Sequence, residues 1–139
     1  MKKLLFVVLV LVSASAFAQN DEVTIRKMLQ AQVDQWNKGN IEGYMYGYWE
    51  SDSLLFIGKS GPKYGYEQTL ANYRKSYPDA AAMGKLNSEV ISLKKLSPEY
   101  YFAVGKWELE REAGNLAGSW TLLIRKIKGK WVIVSDHSS

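Results

Sequence analysis

The chain has 139 residues, no cysteine, one histidine and a formal net charge of +4. Without cysteine there is no disulfide framework, no thiol nucleophile and no thiolate metal site, and His137 alone leaves zinc without its usual nitrogen ligands, so neither metal nor cofactor is expected. Nucleic-acid binding needs clustered basic side chains that displace counterions; here only Lys126, Lys128 and Lys130 crowd together, on a turn read as solvated, and no nucleic-acid partner is expected.

In chain order, Lys2 and Lys3 open a positively charged start, Leu4 to Val12 is an unbroken apolar run, and Ala16-Phe17-Ala18 has the small-x-small pattern that a signal peptidase reads. The run is shorter than the roughly 20 residues that cross a bilayer. Residues 1–18 are therefore expected to be a cleaved signal peptide, and the protein to be exported, periplasmic or secreted, and off the membrane after cleavage. Residues 19–139 then form one domain with one core. The leader takes two lysines and no acid with it, leaving a nearly balanced domain at +2.

Asn20 or Asp21 is placed to cap a helix in which Ile25, Met28, Leu29, Val33 and Trp36 recur at three- and four-residue spacing, ended by Gly39. Asn40 caps a second, short and unusually aromatic helix with Tyr44, Tyr48 and Trp49. Ser53 to Ile57 reads as a strand and the segment with Gly58, Gly61, Pro62 and Gly65 as a loop. A third helix carries Leu70, Tyr73 and Tyr77 on one stripe and is halted by Pro78. From about Leu86 the apolar period becomes two, with turns at Ser97-Pro98, Ala113-Gly114 and Lys128-Gly129, which makes four strands. Helices followed by a strand meander is the order of an α+β domain with helices on one face of an antiparallel sheet.

The turns set the registers. A two-residue turn at Lys128-Gly129 pairs Ile127 with Lys130 and, continued, Trp120 with His137. A two- or four-residue turn at Ala113-Gly114 pairs Trp107 with Trp120. Trp107, Trp120 and His137 would then share one row and one face, and Asp136 the other. That other face also carries Val104, Leu123 and Val134; it suits a homodimer contact, or is ordinary surface hydrophobicity.

The segments Trp36-Asn37-Lys38-Gly39-Asn40-Ile41-Glu42, Tyr48-Trp49 into Phe56-Ile57-Gly58, Gly118-Ser119-Trp120-Thr121 and Gly129-Lys130-Trp131-Val132-Ile133 through Asp136-His137-Ser138-Ser139 resemble the nuclear transport factor 2-like superfamily, in its SnoaL-like and ketosteroid-isomerase-like bacterial branch. The resemblance covers Asp21 to Ser139. It implies a cone, a curved sheet around three N-terminal helices with a cavity between them, often paired through the convex side of the sheet. Enzymes of the family use such cavities for proton transfer or cyclisation, while other members bind or assemble. Aligning Asp52 with the acidic residue before the isomerases' first strand puts Ile57 where they carry the catalytic aspartate, so their general base is missing there.

Three functions follow. In the leading one, Trp107, Trp120, Tyr44, Tyr48 and Trp49 wall a cavity for a small, largely apolar ligand, with Arg111 at its rim. In the second, an isomerase, dehydratase or cyclase uses His137 to move a proton, since histidine is the residue type whose unperturbed side chain changes charge near neutral pH. In the third the domain is a homodimeric assembly module. Packing alone also accounts for each ring, and a hydrogen-bonding role for His137.

Overall fold

The computed structural model describes the backbone of residues 2–139 and the side chains of Phe17 and of residues 19–139; the side chains of the apolar run 4–12 and of most of the expected export signal lie outside what is described. Helix α1 (Lys2–Asn37) buries Ile25, Leu29 and Trp36. The expected cap at Asn20 or Asp21 is not formed, because the helix runs through both positions. Asp21 instead ties the helix to the sheet, its Oδ1 accepting from Trp131 Nε1 at 3.1 Å and from Lys126 Nζ at 3.3 Å.

Gly39, at φ 75°, closes α1 by donating to the Trp36 carbonyl at 2.8 Å. This left-handed exit is one that glycine enters without a steric penalty. Asn40 then caps α2 (Ile41–Met45) as expected, its Oδ1 accepting from the Gly43 N–H at 3.0 Å. Strand β1 (Leu55–Gly58) follows, and the expected loop contains a further strand, β2 (Gly61–Tyr64). Pro62 is accommodated because β2 lies at the sheet edge, where a missing N–H breaks no ladder. Helix α3 (Tyr66–Ser76) buries Leu70 and stops before Pro78, and a four-residue helix, α4 (Ala80–Met83), absent from the sequence reading, is capped by Asp79.

The remaining strands are β3 (Lys85–Ser97), β4 (Tyr100–Glu110), β5 (Leu116–Ile127) and β6 (Lys130–Ser138). All three expected turns fall between them. The six-stranded sheet has the order β2-β1-β6-β5-β4-β3, antiparallel except where β1 lies parallel to β6. It is curved and unclosed, with the helices packed on its inner face, giving the expected α+β cone. The core sits between them, where Tyr101, Ala103, Leu122, Ile124 and Ile133 meet Ile25, Met45 and Leu54.

Two registers differ from expectation. The β4–β5 connection leaves six residues between the paired Leu109 and Leu116, so Trp120 faces Gly105 and Trp107 faces Gly118. The shift is even, and both rings keep the same face. In the β5–β6 hairpin, Lys128 and Gly129 take φ values of 50° and 78°, as a two-residue type I′ turn requires, and Ile127 pairs with Lys130 as expected. The register then slips by one. Ile124 pairs with Ile133 but Leu123 with Ser135, leaving Val134 as an extra residue. Beyond this β-bulge every side chain changes face. Trp120 pairs with Ser138, Thr121 with His137, and Leu122 with Asp136.

Candidate functional site

Between the helices and the inner face of the sheet lies a cavity of about 1180 Å³, somewhat above the roughly 300–1,000 Å³ usual for small-molecule sites. Its walls are aromatic because several short elements each contribute a ring. Trp36 of α1 meets Tyr44 of α2 edge-on at 5.2 Å and Tyr77, which follows α3, at 4.9 Å; Tyr73 of α3 meets Tyr44 at 5.2 Å and Phe56 of β1 at 5.7 Å. Such edge-to-face contacts align quadrupoles and fix the wall.

On the sheet side, Trp107 and Trp120 line the same cavity. Trp120 lies across Gly105, where a Cβ would come 2.0 Å from its ring, and donates its Nε1–H to Ser88 Oγ at 3.2 Å. Trp107 Nε1 is buried and has no hydrogen-bond partner among the described residues. A buried donor left unpaired costs about 1–3 kcal/mol, and a ligand oxygen or water would remove that cost.

The polar centre of the cavity is Asp136, only 3% exposed. Its Oδ2 accepts from the Tyr48 hydroxyl at 2.6 Å and its Oδ1 from Ser138 Oγ at 2.8 Å. Burial pushes its carboxyl up from 3.8 to about 6; the bonds from Tyr48 and Ser138 and the charge of His137 offset only part of that. The Tyr44, Tyr48 and Tyr73 hydroxyls form a triangle of 3.4 Å sides beside it. Those separations exceed a full O–H···O bond, so Tyr44 and Tyr73 keep hydrogen-bonding capacity toward the cavity. Burial, reinforced by the Asp136 charge, lifts Tyr44 to about 12 and Tyr48 well above the ordinary phenol range; burial and the neighbouring Tyr44 do the same for Tyr73. At neutral pH the phenols are donors, and the carboxyl, raised to about 6, is mostly ionised and gains its proton on mild acidification.

Of the residues singled out from sequence, Trp107, Trp120, Tyr44 and Tyr48 line the cavity. Trp49 does not; it is half-buried, and its backbone N–H bonds the Ile133 carbonyl. Arg111 is held in the β4–β5 turn, donating to the carbonyls of Gly114 at 2.8 Å and Ala82 at 3.2 Å, away from the cavity lining. His137 is exposed on the outer face opposite Thr121, so the expected row with the two tryptophans is not formed, while Asp136, expected on the outer face, points inward. Asp136 and Gln32, a buried cavity residue whose Nε2 donates to the Tyr44 carbonyl at 3.0 Å, were missed. Gln32 sits one position before Val33 on the apolar stripe of α1, which was its available signal. Ile57 pairs with His137, and its neighbours Phe56 and Gly58 are the β1 residues on the cavity side.

Searches of known proteins place this architecture. An NTF-2 like protein of unknown function from Shewanella oneidensis has a crystal structure that superposes with a TM-score of 0.82 at 38% identity, over 86% of this chain and 98% of that one. An NTF2-like protein of unknown function from Pseudomonas putida gives 0.69 at 16% identity, over 87% of each chain. A ketosteroid isomerase-like protein from Erwinia carotovora gives 0.65 at 16% identity, over 84% of this chain and 93% of that one. The last two are likenesses of fold alone. No family model matches the sequence, and no curated protein does.

Proposed function

This chain belongs to the NTF2-like family, and from that premise we propose that its cavity binds a small, largely apolar molecule with an oxygen function turned toward Asp136 and the tyrosines. The carrying observation is a buried carboxyl, with three phenols, in a cavity whose walls include the rings of Trp36, Trp107 and Trp120 and the aliphatic side chains of Leu29, Leu122 and Ile133. Apolar walls supply the affinity and a few convergent polar groups the orientation. Titrating the intrinsic fluorescence with ketones, alcohols and hydrocarbons of matched size tests the reading. Oxygen-bearing ligands are expected to bind about tenfold tighter, as one hydrogen bond to the phenols beside Asp136 warrants; the preference should vanish in Tyr44→Phe/Tyr73→Phe. No binding by any member of the series refutes it.

A second reading is favoured by the acidity of Asp136. A carboxyl poised near 6 inside a cavity suits proton transfer of the isomerase, dehydratase or cyclase type. This role, expected of His137, moves to Asp136 because His137 faces solvent. Deuterium exchange beside the carbonyl of a bound ketone is its assay: exchange above the buffer rate, lost in Asp136→Asn, supports it, and exchange at the buffer rate does not.

We also propose export, tested by a mature N-terminus at Gln19, and a homodimer through the outer sheet face. Phe102 and Leu123 are paired on that face; Phe102 is 38% exposed, and Arg125 nearby has a buried Nε without a hydrogen-bond partner among the described residues. Phe102→Glu should convert a dimer in sedimentation to a monomer; a wild-type monomer refutes the dimer.

A further inference from the structure

The mouth of the cavity has a charge pattern that an uncharged apolar ligand does not require. Lys59 in the β1–β2 turn, Lys63 on β2 and Lys75 in the last turn of α3 all line it. What sets these three apart is that they share one cavity lining; of the cations near it, Arg74 is ion-paired with Glu42. These three lysines have no ion-pair or hydrogen-bond partner among the described residues.

Among the described residues, no Asp or Glu side chain other than Asp136 lines the cavity with them, and Asp136 is buried. Ser139 lines it too, its N–H bonded to the Ser119 carbonyl at 2.9 Å, and its carboxylate makes no ion pair with any of the three lysines. Three unpaired like charges around one opening repel each other, and apolar walls focus their field into the cavity. An anion at the mouth relieves that repulsion. An anion at the inner end would face the Asp136 carboxyl, so charge orders the ligand with its head outward.

We infer that the ligand is an amphiphilic anion, with an apolar body among the rings and a carboxylate, sulfonate or phosphate head held by Lys59, Lys63 and Lys75. This deepens the cavity-binding reading and rests on it. Two probes that share one ring frame separate the two claims: anilinonaphthalene sulfonate and its uncharged counterpart phenylnaphthylamine, titrated against the full chain and displacing one another.

With surface ion pairs contributing about two- to fivefold each, the sulfonate is expected to bind about tenfold tighter at low salt, and to lose that advantage as salt screens the rim. Lys59→Gln/Lys63→Gln/Lys75→Gln should bring the sulfonate down to its counterpart's affinity while leaving the counterpart unchanged. Lys75→Glu, at an exposed position, should do more than Lys75→Gln. Equal affinities, indifference to the lysines, or failure of the probes to displace each other overturns the inference alone. If neither probe binds, the cavity-binding reading falls with it.

Discussion

Asp136→Asn should make the protein more stable at neutral pH, and the size of the gain follows from the burial of the carboxyl. In the folded protein it loses its proton at about 6, against 3.8 for the free group. A raised folded-state value means that the native state holds the proton more tightly than the unfolded chain does. Stability from this group is therefore fully present below about pH 4 and is lost as pH rises through 6. At about 1.4 kcal/mol per tenfold change in acidity, that difference amounts to about 3 kcal/mol. With 3% exposure, solvent screening reduces it little. Asparagine removes the ionisation, still accepts from Tyr48 through its oxygen, and can donate from its amide to Ser138 Oγ. Urea unfolding of wild type and variant from about pH 4 to pH 8 is the assay, and the quantity to follow is the gap between them, in which all shared titrations cancel. The variant should gain about 3 kcal/mol on the wild type across that range. A gap constant with pH would mean that the carboxyl ionises at its ordinary value, and the account of the cavity as a desolvating site would be wrong.

Three further outcomes test neighbouring parts of the structure. Tyr48→Phe removes the hydroxyl that donates to Asp136 at 2.6 Å; the carboxyl should then titrate at a still higher pH by NMR, with about 1–3 kcal/mol lost at pH 7 for a charge-assisted bond. Gly105→Ala places a methyl 2.0 Å from the Trp120 ring and 2.4 Å from the Glu89 carbonyl; overpacking of this kind costs about 1–3 kcal/mol, and near-ultraviolet circular dichroism should register the displaced indole. Lys128→Asn puts a residue suited to positive φ where lysine sits at 50°; thermal unfolding should show a gain of a few tenths to about 1 kcal/mol, with no change at the cavity.

The fold was legible wherever local chemistry decides the backbone. Asn40 as a cap, Gly39 as a stop, Pro78 as a barrier and Lys128-Gly129 as a hairpin turn all act within a few residues, and each stands where the sequence places it. The strand β2 escaped because its glycines and proline are turn formers, and only its edge position lets it pair with β1. Asp21 looked like a cap because Asp is a good one. Its use as an acceptor for Trp131 and Lys126, more than a hundred residues away in sequence, is a tertiary fact with no local signal. The aromatic wall followed from even parity, which survived a turn longer than expected, since a shift of two returns each side chain to its own face.

The polar centre was not legible, because one residue decides it. Val134 is flanked by Ile133 and Ser135, with no glycine or proline to mark a bulge, and its β-branched side chain would fit an unbroken strand as well. What holds the slip in place lies across the sheet. Before the bulge, β6 is gripped by the chain after α2, with Ile133 donating to the Gly47 carbonyl and accepting from Trp49 N–H; after it, Ser135, Asp136 and His137 run beside Leu55, Phe56 and Ile57. Two separate segments thus read the two halves of β6 on one edge while β5 reads both on the other. Without the extra residue, the imidazole of His137 would face the cavity and the carboxyl of Asp136 would face solvent. With it, the domain encloses an acid that titrates near 6 and leaves its one histidine outside. The chemical character of the cavity is therefore set by strand register, and the residues on either side of it carry no signal that the register will slip.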